Sequence, residues 1–255
     1  MNNLMRAELF KLRHNKSFWT ILLFSVGLSA LLHYLVITDW WMMQNTPFDA
    51  AGLSDFNALS MFVIPLYFNL MTGTLAAFFI STEFGNSGVI KNQIISGKNR
   101  SLIYLAKYIV YTLGAVIIAV LLPLLVGVML NLVMGNGDIF NGETVTYLVR
   151  AYLLFILQFA GYAAFITLLA ILTEDSGKTI ILSVLFTIIL FTIEKMPMPA
   201  FVDFLYDHSV FQQFNLVLAP EMSAGGIVEA VIVGLLTIIV MLLVGIFAFN
   251  RKEIK

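Results

Sequence analysis

Residues 230–250 read AVIVGLLTIIVMLLVGIFAFN, a run of 21 residues without a charged side chain. A helix needs about 20 apolar residues to cross the hydrocarbon core of a bilayer. Across the 255-residue chain, 60% of residues are hydrophobic and 11% are charged, whereas soluble domains carry about 25% charged residues. The composition predicts an all-α membrane protein with six transmembrane helices in a single domain over residues 1–255. The other five uncharged runs lie at residues 17–37, 58–80, 108–134, 151–173 and 179–193.

The fifth of these runs is short. It holds 15 residues, and at about 1.5 Å per residue it cannot cross a hydrocarbon core about 30 Å thick. Its helix must either continue through Glu194 and Lys195, with both charges in the outer leaflet, or recruit apolar residues beyond them. We expect these charges to be paired or to face a polar cavity, because an isolated charge at depth is costly.

The Lys and Arg residues predict the orientation, since cytoplasmic loops of membrane proteins are enriched in them. With the N-terminus inside and six crossings, 12 of the 14 basic residues fall on the cytoplasmic side, and Arg150 and Lys195 fall outside. Five acidic residues fall inside and ten outside. Both termini are therefore expected in the cytoplasm. The first run is longer than the apolar core of a signal peptide, which spans about 7–15 residues, so we expect it to be a retained span.

Little in the sequence is typical of an enzyme. The chain has no cysteine, and its three histidines lie on different segments, so no metal site is predicted. Residues 177–179, Gly-Lys-Thr, resemble the end of a phosphate-binding loop. However, Leu172 stands at the position of that loop's first glycine, and a helix rather than a strand precedes it. We expect this chain to bind no nucleotide, no other cofactor and no nucleic acid.

Few polar residues interrupt the predicted spans. Asn69 lies in the middle of the second run and Gln158 in the fourth. Hydrogen bonding between helices is the favoured interpretation for both, and lining of a transport pathway is the alternative. No predicted span contains an acidic residue, so a carrier that uses a carboxylate relay is poorly supported.

The N-terminal segment, residues 2–16, is amphipathic. Met5, Leu9 and Leu12 recur at helical spacing, while Arg6 and Arg13 lie seven residues apart. A helix with this pattern lies in the plane of the membrane. We expect its apolar side to face acyl chains and its basic side to face lipid phosphates. The simpler alternative is that the segment only sets topology.

The loop after the second run, residues 81–107, reads STEFGNSGVIKNQIISGKNRSLIYLAK. A loop that merely joined two spans could be far shorter, and it would not need the apolar residues Val89, Ile90, Ile94 and Ile95. Exposed apolar residues flanked by charges indicate a docking surface for a cytosolic partner. A second interfacial helix is the alternative.

Taken together, these features resemble the permease subunits of type-2 ABC exporters. That family has six spans with both ends inside, preceded by an elbow helix of the form E-L-x-K-L-R, which residues 8–13 match. After the second span the family has an acid, a glycine, a lysine, a turn, an arginine and a lysine. Val89 stands where many relatives have Thr or Ser, and Gly97 where many have Pro. The residues that match are Glu83, Gly88, Lys91, Gly97, Arg100 and Lys107.

The resemblance implies roles for particular residues. Glu8, Lys11 and Arg13 would belong to the elbow helix. Residues 83–93 would form a cytoplasmic coupling helix in a groove of an ATPase, with Val89 and Ile90 buried against that partner. The residues assigned to coupling are Glu83, Phe84, Gly88, Val89, Ile90, Lys91 and Gln93.

The family also places two short re-entrant helices between spans five and six. Pro197 and Pro199 follow the short fifth run, and residues 201–218 are rich in apolar side chains. The resemblance therefore marks this loop as a candidate outer gate. The candidate pathway or gate residues are Asn69, Gln158, Glu194, Phe201, Phe204 and Phe211.

A transport subunit without its own nucleotide site, in the bacterial cytoplasmic membrane, is what the resemblance implies. Two cytosolic ABC ATPase subunits would bind ATP and Mg²⁺, and a second permease copy or paralogue would complete the complex in the lipid bilayer. Compact permeases of this kind resemble those of lantibiotic-immunity, bacitracin-resistance and phenol-soluble-modulin exporters. That likeness implies an amphipathic or antimicrobial peptide, or a similar lipophilic substrate.

Two other functions remain open from the sequence. The chain could be a membrane sensor or scaffold that docks a cytosolic regulator through residues 81–107, or an ATP-independent carrier. An ATPase that copurifies with the chain in a one-to-one ratio would separate the exporter from both.

Overall fold

A computed structural model describes residues 1–84 and 88–252. Over this part of the chain the secondary structure is helical, and it contains no strand. The α-helices are α1 (Asn2–His14), α2 (Lys16–Ile37), α3 (Pro47–Ala50), α4 (Leu59–Val63), α5 (Pro65–Phe79), α6 (Val89–Ile95), α7 (Arg100–Val116), α8 (Leu122–Val133), α9 (Gly142–Thr173), α10 (Ser176–Lys195), α11 (Ala200–Asp207), α12 (Val210–Leu216) and α13 (Ala224–Arg251).

Five helical stretches in the described ranges are long and apolar enough to cross a membrane. Four of them are α2, α9, α10 and α13. The fifth is Arg100–Val133, in which a π-helical turn at Ile117–Leu121 joins α7 to α8. Each of the five covers all or nearly all of one uncharged run of the sequence, and several extend beyond it into charged residues.

The remaining run, residues 58–80, is not one continuous helix. Helix α4 ends at Val63, Ile64 has an extended backbone, and α5 begins at Pro65. Proline offers no N–H to the preceding turn and clashes with it, and it also drives the residue before it out of the helical region. The expected second span is therefore interrupted. Helix α5 alone has 15 residues, or about 22 Å of length.

Helix α10 resolves the shortness of the fifth run. It has 20 residues and continues through Glu194 to Lys195, where Met196 takes an extended conformation just before Pro197. At about 1.5 Å per residue it is roughly 30 Å long. The helix thus continues through Glu194 and Lys195, as the first of the two expected arrangements requires, while the position of these charges in the outer leaflet stays a prediction.

An aromatic cluster fills the core where α5, α9 and α12 meet. The ring of Phe68 lies edge-on to those of Phe159 and Tyr162, with centroids 5.4 and 5.1 Å away, and 5.0 Å from that of Phe214. All four rings are buried. Edge-on aromatic pairs add about 0.5–1.5 kcal/mol each beyond the burial of their area, so this cluster helps to hold α12 against the long helices.

Glycines allow two helix pairs to approach closely. A Cβ atom at Gly73 of α5 would lie 2.6 Å from Ser183 Oγ on α10, and one at Gly234 of α13 would lie 2.7 Å from Leu157 Cγ on α9. Small residues serve this purpose in membrane proteins, where packing rather than water exclusion drives helix association.

Several elements that are distant in sequence share one end of the bundle. Arg100, at the start of α7, donates to the carbonyl oxygens of Asn250 at 3.1 Å and Lys252 at 2.7 Å, at the end of α13. Phe84 packs edge-on against Phe249, with centroids 6.0 Å apart. Helix α1 packs beside α7. We call this end, with α1, α6, the start of α7 and the ends of α5 and α13, the basal end.

Candidate functional site

Four charged side chains form a cluster at the basal end. Lys107 Nζ of α7 lies 3.2 Å from Glu8 Oε2 of α1 and also contacts Glu83 Oε2, in a 3₁₀ turn that follows α5. Lys11 Nζ lies 2.5 Å from Glu8 Oε1 and 2.7 Å from Glu83 Oε1. The side chain of Lys107 is 0% exposed and that of Glu8 1%. We call Glu8, Lys11, Glu83 and Lys107 the ion cluster.

Local structure accounts for the position of the two members of the cluster on α1. Glu8 and Lys11 lie three residues apart, which places them on the same face of α1. Leu12 of α1 packs against Gly114 of α7, which has no side chain. A Cβ atom at Gly114 would lie 3.0 Å from the side chain of Leu12. Gln93 of α6 donates to Glu8 Oε1 at 3.1 Å. The cluster therefore joins α1, α6, α7 and the end of α5.

Electrostatics keep Glu8 and Lys11 charged. Burial by itself raises the pKa of the Glu8 carboxyl, but the ammonium groups of Lys107 and Lys11 outweigh it and hold this pKa below the ordinary 4.5. Burial likewise disfavours charge on Lys11, yet Glu83 and Glu8 raise its pKa above the ordinary 10.5. Removing one member would leave a buried charge without compensation, which is strongly destabilising.

The apolar side of α1 does not lie where the sequence analysis placed it. Leu4 and Leu12 are buried against the rest of the chain, and Met5 and Leu9 pack partly against its core. The expectation that this side faces acyl chains is wrong for Leu4 and Leu12, because α7 supplies both the ion-pair partner and the glycine that receive α1. Arg13, the third residue assigned to the elbow helix, is exposed.

Helix α6 begins after Gly88, which has a φ of +59°. This left-handed conformation suits glycine, since a Cβ atom is strained there. Ile90 is 1% exposed and belongs to the hydrophobic core of the chain itself. The expectation that Ile90 is buried against a partner is therefore wrong, while Val89 is only partly covered.

The exposed side of α6 carries a different set of residues. Lys91 and Asn92 are exposed, and the side chain of Ile95 is 73% exposed. Lys98 is exposed in the turn that follows. Phe84, also assigned to coupling, is instead half-buried beneath Lys252, whose Nζ lies 5.6 Å from the ring centroid. We call Lys91, Asn92, Ile95 and Lys98 the docking face.

Asn69 and Gln158 lie within the bundle and are 0% exposed. Asn69 Oδ1 accepts a hydrogen bond from the hydroxyl of Tyr162, which joins α5 to α9. Gln158 Nε2 donates to the carbonyl oxygen of Ala230 at 2.7 Å, which joins α9 to α13. Both residues make the hydrogen bonds between helices that the sequence analysis favoured.

The other candidate gate residues lie in and after the last turn of α10. Glu194 Oε1 is 2.6 Å from Lys195 Nζ, and Glu194 Oε2 accepts from the hydroxyl of Tyr206 at 3.3 Å. Phe211 of α12 packs edge-on against Tyr162, with centroids 5.9 Å apart. Phe201 and Phe204 of α11 are 71% and 58% exposed. Phe201 and Phe204 are thus exposed on the surface of the chain, whereas Phe211 packs against its core.

Lys107 is the member of the ion cluster that sequence reasoning did not assign to a site. It appeared there only as one basic residue of the family-like pattern and not among the assigned sites. Its signal is position, because it directly precedes the uncharged run 108–134, where a lysine must either reach the surface or find an acid. In the described ranges, no group of three or more His, Asp or Glu side chains could hold a metal ion.

A protein-family model described as ABC-2 family transporter protein matches residues 4–194. The chain therefore belongs to the ABC-2 transporter family. It is a permease of an ABC transporter and a multi-pass membrane protein, and it acts as the transport subunit beside an ABC ATPase. The matched range includes the whole ion cluster and α6. Among curated proteins, none matches this chain.

Proposed function

We propose that this permease belongs to an ATP-driven exporter that moves an amphipathic or antimicrobial peptide, or a similar lipophilic substrate, out of the bacterial membrane or cytoplasm. The observation that carries the proposal is the ion cluster. It ties α6, which presents the docking face, to helices that lead into the membrane. Movement of α6 would thereby reach α1 through Gln93 and Glu8, and α5 and α7 through Glu83 and Lys107.

The proposal includes six crossings with both termini in the cytoplasm. These crossings are α2, the broken pair α4–α5, the stretch from α7 to α8, α9, α10 and α13. The basal end supports this arrangement, because it contains both α1 and the end of α13. An even number of crossings brings the two ends of a chain to the same side, so the interrupted α4–α5 would have to cross as well.

Helix α1 would serve as the elbow helix, and α11 and α12 as the re-entrant pair. Burial of α12 supports the second assignment, since Val210 is 3% exposed, Gln213 0% and Phe214 1%. A short segment can lie at membrane depth only where protein or water covers its backbone, and α9 and α13 cover α12 in this way.

The docking face would contact an ATPase, and the complex would hold two ATPase subunits and a second permease copy or paralogue. ATP and Mg²⁺ would bind to the ATPase subunits. When these close on ATP, they would displace α6 and, through the ion cluster, tilt α5 and α7. Access to the substrate would then alternate between the two sides of the membrane.

The second candidate function is a scaffold or sensor, which the 73% exposure of Ile95 also suits, because the same face could dock a regulator. An ATP-independent carrier would need no docking face. Transport driven by ATP is the property that separates the exporter from both.

Reconstitution tests this function directly. The chain is purified with its ATPase, inserted into liposomes with the ATPase outside, and supplied with a fluorescent cationic amphipathic peptide in the external medium. We expect uptake into the lumen that requires ATP and Mg²⁺ and stops with a non-hydrolysable analogue. ATP hydrolysis without peptide movement would favour the scaffold, and movement without ATP would favour the carrier.

A further inference from the structure

An apolar pocket lies beside the candidate gate residues, at the end of the bundle opposite the ion cluster. Its volume is about 150 Å³. Its walls come from the break between α4 and α5, from the last turns of α10 and from the helices that follow it. Ile64 and Pro65 form one side, while Ile188 and Phe191 form another. A dry cavity of about this size accommodates a benzene molecule.

One charged residue, Glu194, lines this pocket, together with the hydroxyl-bearing Thr187 and Tyr206. Tyr206 holds Glu194 Oε2 from one side at 3.3 Å. The other oxygen, Oε1, points to the ammonium of Lys195 at 2.6 Å, and that ammonium also lies 5.8 Å from the ring centroid of Phe191. Two residues that line the pocket, Phe191 and Glu194, therefore already hold a cation between an aromatic ring and a carboxylate.

Lys195 can be replaced in this position. Its side chain is 57% exposed, and the geometry of an exposed ion pair is weakly held. An incoming cation that also fills the apolar pocket gains the burial of its apolar group in addition to the contact with Glu194. Attraction between a cation and a ring within about 6 Å adds to this gain, so the ligand competes well with Lys195.

We propose that this pocket binds a hydrophobic ammonium, a cation that carries an apolar group about the size of a benzene ring. Glu194 recognises the ammonium, Tyr206 orients the carboxylate, and Ile64, Ile188 and Phe191 receive the apolar group. This inference deepens the proposed function, since it names the chemistry of a substrate at the outer gate, and its transport role rests on that function. Binding itself needs no ATPase.

Three ligands of matched shape test the recognition. The full chain, in lipid nanodiscs without its ATPase, is titrated with 4-phenylbutylamine, 4-phenylbutanol and 4-phenylbutyrate at neutral pH. Saturation-transfer NMR reports binding, and empty nanodiscs supply the correction for partition into lipid. We expect the amine to bind about tenfold more tightly than the alcohol, because both can donate a hydrogen bond to Glu194 but only the ammonium carries a positive charge. The carboxylate should not bind.

Variants locate the site. Glu194→Gln should lower the affinity for the amine about tenfold and that for the alcohol much less, because only the amine loses an attraction between opposite charges. Ile188→Trp should fill the pocket and weaken both ligands. Ile189→Trp is its matched control, since Ile189 is 56% exposed on the same helix but does not line the pocket. Lys195→Gln should strengthen amine binding, because it removes the competing ammonium.

Equal affinity of the amine for wild type, Glu194→Gln and Ile188→Trp would overturn the proposal, as would equal loss in the Ile188 and Ile189 variants. The thermal unfolding midpoint of each variant shows whether it has folded. Copurification of the ATPase with Glu194→Gln keeps the two proposals apart. If amine binding fails while the ATPase is retained, only the pocket assignment fails; if the ATPase is absent from wild type, only the exporter proposal fails.

Discussion

Glu8 of α1 and Lys107 of α7 form an ion pair of 3.2 Å in which neither side chain is more than 1% exposed. Removing one partner of a buried pair costs about 3–5 kcal/mol, and without Lys107 the carboxylates of Glu8 and Glu83 would share the single ammonium of Lys11. We therefore expect Lys107→Met to lower the free energy of unfolding by about this amount and to reduce abundance in the membrane. The thermal unfolding midpoint in detergent measures the effect.

Lys91→Met is the matched control, since Lys91 is exposed and its replacement should change stability by about 0.5 kcal/mol or less. The double variant Lys107→Met with Glu8→Gln should lose less than the sum of the two single variants, because it removes both charges. Strict additivity, or an equal effect of both lysine substitutions, would contradict the buried pair.

The ion cluster should also give the chain a defined pH dependence. The folded protein holds the pKa of Glu8 below 4.5, so Glu8 contributes its full stabilisation above about pH 4.5 and loses it as the pH falls through the lowered pKa. The pKa of Lys11 is raised above 10.5 in the folded protein. Lys11 therefore contributes its full stabilisation below about pH 10.5 and loses it as the pH rises through the raised pKa.

The comparison that isolates Glu8 is wild type against Glu8→Gln across a buffer series. We expect their difference in unfolding midpoint to stay constant between about pH 5 and pH 10 and to shrink on further acidification. The reason is that protonated Glu8 and the glutamine that replaces it in the variant are both neutral. A difference that grows in acid would show that Glu8 is not held in its charged form.

The contact between α5 and α10 provides a test of packing. Gly73→Ala would place a Cβ atom 2.6 Å from Ser183 Oγ, and overpacking of this kind costs about 1–3 kcal/mol. Ser183→Ala removes the clashing oxygen, so the double variant should recover part of the lost stability. Gly27→Ala is the control, because a Cβ atom there meets nothing within 4 Å. If the Gly27 and Gly73 variants unfold at the same midpoint, the close approach of these helices is wrong.

The sequence predicts most of this fold because a helix that crosses a membrane requires a long uncharged run. Five of the six runs are single helical stretches in the structure. Prediction from the sequence fails where a proline breaks a helix within an apolar run, and where contacts with distant residues determine which side chains are buried. Pro65 interrupts the second run although its neighbours are apolar. Lys107 and Ile90 are buried because α1 and the core cover them, and no periodicity within 81–107 shows which apolar residue turns inward.

Topology can be tested with single cysteines, since the chain has none of its own. Cysteines at Gln44, Asp138 and Glu221 should react in intact cells with a membrane-impermeant maleimide, while those at Asn92 and Lys98 should react only after lysis. These five positions are exposed, and they avoid Asn141 and Ser209, whose side chains cap α9 and α12. Labelling at Asn92 from outside would contradict six crossings with cytoplasmic termini.

Ile95 and Ile90 lie on opposite sides of α6, so substitutions at these two residues can distinguish an effect on docking from an effect on folding. Ile95 is 73% exposed and Ile90 1%. Truncating a buried anchor of an interface costs about 2 kcal/mol or more of binding, so Ile95→Asp should release the ATPase and abolish transport while the permease keeps normal abundance and its unfolding midpoint. Ile90→Asp buries an unpaired charge in the chain itself and should reduce abundance as well.

Charge at the rim of the docking face should act differently from its apolar centre. Lys91→Ala and Lys98→Ala are expected to slow association with the ATPase, an effect that fades at high salt, because rim charges mainly steer encounter. Copurification of the ATPase is measured at two salt concentrations and normalised to the amount of permease. This measurement distinguishes the lysine variants from Ile95→Asp, and permease abundance distinguishes both from Ile90→Asp. An Ile95→Asp permease that retains its ATPase and still transports would show that α6 is only an interfacial helix, and the scaffold function would then lose its docking face as well.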